Sequence, residues 1–309
     1  MAELVSILIP GFKPRHLREC LDSALKQTWP NTEIILSDDC KTDEVRRICA
    51  DYEPRVQYVR NPNPGISGHN NMRHLCHLAR GKYLKFLLDD DLLHPECVRL
   101  MVEAMERTGS HLAFSPRRLI DEHGNPLPPP ALFKAQPGRV IPGDEIVHQT
   151  AKFLSNRIGE LTTVMFLRED VFDHEGRLTA MEIDGEMWLG LSDVALYFQL
   201  AERGPAVMVN EELSSFRKHA ASNSNAAVNP HWFNLVADWK LVLDYARHRS
   251  TLSVSETGYA YLLLILMLRH GSRIAPSLAP QFKQVMKTVR RDIMNGAITN
   301  RRRRGRGNL

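Results

Sequence analysis

Between residues 4 and 107, short apolar runs alternate with segments of helical periodicity, and this alternation constrains the fold more than any other feature of the chain. Leu4 to Ile9 (LVSILI) is rich in β-branched residues and is stopped by Pro10-Gly11, which reads as a strand buried on both faces. In His16 to Gln27, Leu17, Leu21, Ala24 and Leu25 recur at helical spacing. Glu33 to Ser37 predicts a second strand, Thr42 to Asp51 a second helix and Val56 to Val59 a third strand. Asn70 to Arg80 predicts a helix, Lys82 to Leu88 (KYLKFLL) a fourth strand, and Pro95 to Arg107 a helix with proline in its first turn. Parallel strands need crossover connections, so this order implies an α/β sandwich with a mostly parallel sheet.

Beyond residue 110 the pattern loosens. His111 to Ser115 and Val164 to Leu167 predict strands, and Val194 to Glu202 predicts a helix closed by Gly204. Asp121 to Gly143 holds six prolines and three glycines and reads as a loop or flap. Three amphipathic helices, over 231–248, 255–270 and 279–295, predict a C-terminal helical arm. The expected division is an α/β domain at 1–225, a helical accessory segment at 226–298 and a disordered basic tail at 299–309.

The formal charge of +4 is unevenly placed. The last nine residues contain five arginines and no acid, so residues 1–300 carry 35 basic against 36 acidic side chains. Five cysteines without a C-x-x-C pair suggest neither a zinc site nor a disulfide framework, which fits a reducing compartment. No secretory leader is visible, because Glu3 and Ser6 interrupt the first apolar run. The longest apolar run, Tyr259 to Leu268, is about half the ~20 residues of a membrane span. The expected location is cytoplasmic, with peripheral contact at the inner face of the membrane open through the tail.

In open α/β sheets ligands bind beyond the carboxyl ends of the strands, where this chain places acids. The second strand ends in Ser37-Asp38-Asp39, the fourth in Asp89-Asp90-Asp91, and Asp193 opens a later helix. Each acid alone could cap a helix or complement its dipole. Three adjacent carboxylates at one strand mouth, however, repel each other unless a cation or several donors compensate them. Mg²⁺ or Mn²⁺ shared with substrate phosphates would do so. Neither G-x-x-x-x-G-K-[ST] nor a G-x-G-x-x-G after the first strand is present, so a glycine cradle for phosphate is not expected.

Val5 to Pro10, Leu17 to Thr28 and Glu33 to Asp39, followed by Asn63-Pro64-Gly65, Asn70, Ala79 to Phe86 and Leu88 to Pro95, resemble in order and spacing the family 2 glycosyltransferases. The likeness is strongest over residues 4–105 and returns at Arg157 to Glu160, Ser192 to Tyr197 and Leu213 to His219. It does not cover 231–309. The resemblance implies a GT-A-type, Rossmann-like α/β/α sandwich followed by the helical arm, and an inverting, metal-dependent transferase of hexosyltransferase type. Its donor would be a UDP- or dTDP-sugar and its acceptor a hydroxyl on a glycan or lipid-linked molecule, as in surface polysaccharide synthesis.

Carried over position by position, the resemblance puts Pro10, Gly11 and Phe12 at the nucleotide base, Asp39 on the base as acceptor, His69 near the diphosphate and Asp89 near the ribose. Asp90, Asp91 and His219 would face Mg²⁺ or Mn²⁺, and Asp193 would be the general base, with Glu182, Asp184 and Glu186 as competitors. The chain departs from the family pattern at Gly11-Phe12-Lys13, at His69, where arginine is common, and at Ser192-Asp193, where Glu-Asp is usual. Trp232 and Trp239 read as core packing, and Trp188 as either packing or a sugar platform. The Arg301–Arg306 tail reads as a solvated terminus or a contact for anionic lipid, and no specific nucleic-acid partner is expected. Two other functions fit the residues less closely: a nucleotidyltransferase, and a catalytically silent module that binds a nucleotide sugar or an anionic partner.

Overall fold

The computed structural model describes residues 2–65, 68–128, 138–220 and 232–297. The first half follows the expected order: β1 (Val5–Gly11), α1 (Leu17–Leu25), β2 (Thr32–Asp38), α2 (Glu44–Ala50), β3 (Gln57–Arg60), α3 (Gly68–Leu78), β4 (Tyr83–Phe86), a short β5 (Leu92–Leu93) and α4 (Cys97–Thr108). Then come β6 (Leu112–Phe114), β7 (Arg117–Ile120), β8 (Val140–Ile141), α5 (Gly143–Phe153), β9 (Val164–Leu167), the hairpin β10 (Glu182–Ile183) and β11 (Glu186–Met187), α6 (Ser192–Arg203), β12 (Ala206–Met208) and β13 (Ser214–Arg217).

Among the described residues, eight strands form one sheet in the order β3-β2-β1-β4-β9-β6-β12-β8. The pairs β1–β2, β2–β3, β1–β4 and β6–β12 are parallel, whereas β9 runs antiparallel to both β4 and β6 and β8 runs antiparallel to β12. Because successive residues of a strand point to opposite faces, Val5, Ile7 and Ile9 join Leu17, Leu21, Val98 and Met101 in one core layer. Leu8 joins Leu75, Phe86, Leu196 and Leu200 in the other. Each of these fully buried side chains contributes roughly 1.5–3 kcal/mol. Gly81 lies where a Cβ would come 2.6 Å from Ser6 N and 2.8 Å from Leu4 O, so a side chain there would meet backbone.

The chain runs outward from β1 through β2 to β3, then returns to place β4 on the other flank of β1. This reversal leaves a crevice at the carboxyl ends of β1 and β4, where ligands of such sheets bind. A separate three-stranded sheet, β5-β13-β7, closes over the segment that follows β4.

The chain divides into two compact units. The first comprises Met1–Ile146, Asn156–Met187 and Ser192–Ala220, and the second Val147–Ser155, Trp188–Leu191 and Ala221–Leu309. In the second unit the segment expected as one helix over 231–248 is two, α7 (Trp232–Ala237) and α8 (Trp239–His248). The break falls at Asp238, whose carboxylate accepts a hydrogen bond from Gly190 N at 2.7 Å. Next come α9 (Val254–Ile274), started by a capping box between Ser253 and Glu256, and α10 (Ala279–Asp292). Trp232 packs edge-on to Phe282, and Trp188 edge-on to Tyr245; all three tryptophans, Trp188, Trp232 and Trp239, are buried. No helix among the described residues is long and apolar enough to cross a membrane. The Arg301–Arg306 segment lies outside the described residues.

Candidate active site

Asp89 ties the ends of β1 and β4 together. Its Oδ2 accepts hydrogen bonds from Phe12 N at 2.6 Å and Lys13 N at 2.5 Å. Burial, reinforced by the charge of Asp90, pushes its carboxyl above the usual range despite those two donors. Gly11 is buried between Leu36 and Val45, and the Phe12 ring beside it is half exposed, leaving an aromatic face open at the crevice.

Asp90 behaves oppositely. Burial would raise its carboxyl, but the Lys13 ammonium at 3.2 Å and His219 Nε2 at 3.0 Å both meet Oδ2 and hold it below the ordinary value. His219 reaches this point because β13 pairs antiparallel with β5, putting Ser214 opposite Leu93 and Ser215 opposite Leu92. Residues two positions beyond β13 and two before β5 are thereby brought together.

Asp91 is fully buried and uses its oxygens inside the protein. Oδ1 accepts from Arg217 N at 3.0 Å and Oδ2 from Thr162 Oγ1 at 2.6 Å. Burial, followed by the charge of Asp90, raises its carboxyl well above the usual range. Thr162 is itself fixed by Lys85, a lysine with no exposed surface that donates to the carbonyls of Thr162 and Val164.

Arg217 completes the support. Its side chain is wholly buried and donates through Nε to Asp90 O at 2.9 Å and through Nη2 to Glu19 Oε2 at 2.7 Å. Nη1 reaches the carbonyls of Asp121 and Glu122 at 3.4 and 3.3 Å. His16, also buried, has its Nδ1 3.5 Å from Glu19 Oε1 and its ring 5.8 Å from that of His219.

At β2 the two acids diverge. Asp38 has no exposed surface and accepts from Arg60 Nη1 at 2.6 Å, Tyr58 Oη at 2.7 Å and Cys40 N at 2.9 Å. Asp39 accepts through Oδ1 from Asn61 Nδ2 at 2.5 Å and Gly65 N at 2.8 Å, and its Oδ2 makes no hydrogen bond among the described residues. His69 stands in the first turn of α3. Asn71, two residues on, docks that helix on β2 by exchanging hydrogen bonds with Ser37 Oγ and O.

Asp193 occupies the first turn of α6. Burial pushes its carboxyl up to about 6; the nearby Glu160 charge adds to this, and donors at Val194 N and Asn156 oppose it. Asn156 Nδ2 donates to Asp193 Oδ2 at 2.7 Å and to Gly159 O at 2.8 Å, while its Oδ1 accepts from Ile158 N and Gly159 N. Glu160 is paired with Arg117, 2.5 Å from its Nε. Of the competing acids, Glu182 is paired with Arg73 at 2.8 Å, Asp184 sits at φ 52° in the β10–β11 turn, and Glu186 is exposed on β11.

The sequence pattern pointed to none of Lys13, Asn156, Thr162 and Arg217 as parts of this site. Arg217 and Lys85 look like surface residues in an alternating pattern, and only their three-dimensional partners reveal their parts. Among the described residues no group of three or more His, Cys, Asp or Glu side chains is gathered as a metal cage. Chemically, the crevice offers a carboxylate oxygen shared by an imidazole and an ammonium and a neighbouring carboxyl held by backbone N–H groups, while the first turn of α6 presents a separate carboxyl, that of Asp193, which burial pushes up to about 6.

Comparison with known proteins gives a consistent result. Residues 6–172 match the family model described as Glycosyl transferase family 2. An uncharacterised glycosyltransferase of Rickettsia prowazekii is 26% identical over 236 residues, covering 73% of this chain and 67% of its own length. Chondroitin synthase of Escherichia coli is 34% identical over 127 residues, which are 40% of this chain but 18% of that enzyme. The putative teichuronic acid biosynthesis glycosyltransferase TuaG of Bacillus subtilis is 26% identical over 245 residues, 74% of this chain and 86% of its own. In fold, the structure is similar to that of S. aureus TarS residues 1–349 in complex with UDP-GlcNAc, with a TM-score of 0.59 at 13% identity over 94% of this chain and 92% of that one.

Proposed function

Because the chain belongs to glycosyl transferase family 2 and is a glycosyltransferase of GT-A fold, we propose that it transfers a sugar from a nucleoside diphosphate donor to a hydroxyl acceptor with inversion. The observation that carries this reading is the meeting of Lys13 and His219 on one oxygen of Asp90 at the mouth of β4. A carboxylate in that place, flanked by an ammonium, suits a polyanionic leaving group that must be neutralised as it departs.

Phe12 and Pro10 offer an apolar wall to a base, and Oδ2 of Asp39, which takes no hydrogen bond among the described residues, is an acceptor for an N–H of uracil or thymine. Asp89 shapes the turn over which the ribose would lie, and His69 would approach the diphosphate. Asp90 and His219 would hold Mg²⁺ or Mn²⁺, a set of two protein donors that leaves positions for phosphate oxygens and water. Bound there, the ion would supply Lewis-acid stabilisation of the leaving diphosphate. In this reading Asp91 braces the motif through Thr162 and Arg217. Lys13 exchanges its contact with Asp90 for one with phosphate when donor arrives.

Asp193 is the base. The acceptor hydroxyl gives its proton to the carboxylate as its oxygen bonds the anomeric carbon, and the bond from that carbon to the diphosphate oxygen breaks on the opposite side. A carboxyl titrating near 6 is ionised at neutral pH yet basic enough to take the proton. Asn156 orients it.

The names of the relatives, chondroitin synthase and a teichuronic acid glycosyltransferase, favour an acceptor that is a growing polysaccharide or its lipid-linked precursor. The direct test is donor hydrolysis and binding across UDP-, dTDP- and GDP-sugars with Mn²⁺. Slow hydrolysis of one donor supports the proposal; binding without hydrolysis or transfer favours the silent-module reading, and neither binding nor turnover with any donor sinks both.

A further inference from the structure

The basic character of the chain resides in its C-terminal quarter. Residues 232–309 carry fourteen Lys and Arg against four Asp and Glu, whereas residues 1–231 carry twenty-six against thirty-two. Only five of the fourteen lie in the terminal arginine run; eight of the others belong to the helices, and Arg249 follows the end of α8.

Two of those helices have faces that a water-facing bundle would not need. On α9, Ala260, Tyr261, Leu264, Leu268 and Gly271 are buried, with Gly271 closely packed on Phe282 of α10. On the other side Tyr259, Leu262 and Leu266, spaced by three and four residues, are 46%, 55% and 49% exposed. The same side ends in exposed Arg269, His270 and Arg273. On α10 the exposed positions Lys283, Lys287, Arg290 and Arg291 recur at helical spacing with no acid among them. None of these four, nor Arg269 or Arg273, makes an ion pair among the described residues, although most arginines of the first unit have carboxylate partners.

We propose that the exposed faces of α9 and α10 form a docking surface for a bilayer bearing anionic headgroups. Tyr259, Leu262 and Leu266 would enter the interface, and the six cations would meet phosphate. Charge complementarity selects this occupant. A second copy of the chain packed on the same face would set six unpaired cations against six others, and a nucleic acid would leave the leucines in water. An exposed apolar stripe rimmed by basic residues is the pattern by which helices lie in a membrane surface. The inference rests on the second unit alone and is independent of the donor chemistry.

The test is co-sedimentation of the full chain with vesicles of phosphatidylcholine alone and with about three parts in ten phosphatidylglycerol, where the anionic vesicles should bind at least about tenfold more protein. Leu262→Asp with Leu266→Asp should lose that binding about tenfold while circular dichroism and donor hydrolysis stay unchanged. Reversal of Lys283, Lys287, Arg290 and Arg291 to Glu should abolish the preference for phosphatidylglycerol. Glutamine at the five tail arginines separates the sources: if it removes all binding and the leucine variant removes none, the arm is not the docking surface. Equal binding to both vesicles, absence of binding, or a dimer that dissolves on Leu262→Asp with Leu266→Asp would likewise overturn the proposal.

Discussion

Lys13 Nζ lies 3.2 Å from Oδ2 of Asp90, so the oxygen proposed to bind a divalent ion already has a cation beside it. Metal and ammonium then compete in the free protein. Lys13→Met is expected to tighten Mn²⁺ binding without donor and to weaken the nucleotide sugar, both read by calorimetry. Asp90→Ala should abolish metal-dependent donor binding, and a metal-independent thermal shift by donor in that variant would move the ion elsewhere.

Asp193→Asn should keep donor affinity and lower transfer by ~10²–10⁴-fold, the range a positioned base supplies. Retained transfer would pass the role to Glu186 or Asp184.

The pH dependence follows from the same residue. A base must be ionised to act, so kcat should rise with pH through about 6 and level off above it. Because its folded pKa lies above the ordinary 3.8, the folded chain holds this proton longer than the unfolded chain does. The contribution of Asp193 to stability therefore falls as pH rises between those values and stays low above them. Asn156→Ala removes a hydrogen bond to the ionised form, which should shift the acidic limb of the rate profile upward without changing donor binding.

Gly81→Ala tests the packing of β1 against the turn before β4. Its Cβ would sit 2.6 Å from Ser6 N, and backbone on both sides cannot yield cheaply. The expected loss is about 1–3 kcal/mol, measured by urea unfolding.

The parts of the molecule that were legible in the sequence are those whose signal is local. Val5 to Ile9 reads as a doubly buried strand because burial on both faces leaves no room for polar alternation, and the acids after β2 and β4 mark strand ends directly. Asp193 could be placed because the apolar positions of α6 set its register. Lys85 shows the limit: in Lys82 to Leu88 it looks, like Lys82, to face water, yet it is buried because two carbonyls of the segment around β9 meet its ammonium. Asp238 was similarly hidden, since nothing in a continuous helical pattern reveals that Gly190 N will draw its carboxylate and break the helix. The antiparallel β9, inserted between β4 and β6, depends on contacts too distant for periodicity to encode.

Arg217 joins α1, the backbone of Asp90 and the carbonyls of Asp121 and Glu122 in a single buried guanidinium. The root of the proline-rich segment after β7 is thus fastened to the acidic motif through the carbonyls of Asp121 and Glu122. Chimaeras that exchange that segment downstream of the clamp should inherit a new sugar or acceptor preference on an undisturbed chemical centre, whereas a graft that cuts upstream of Asp121 would unseat both together.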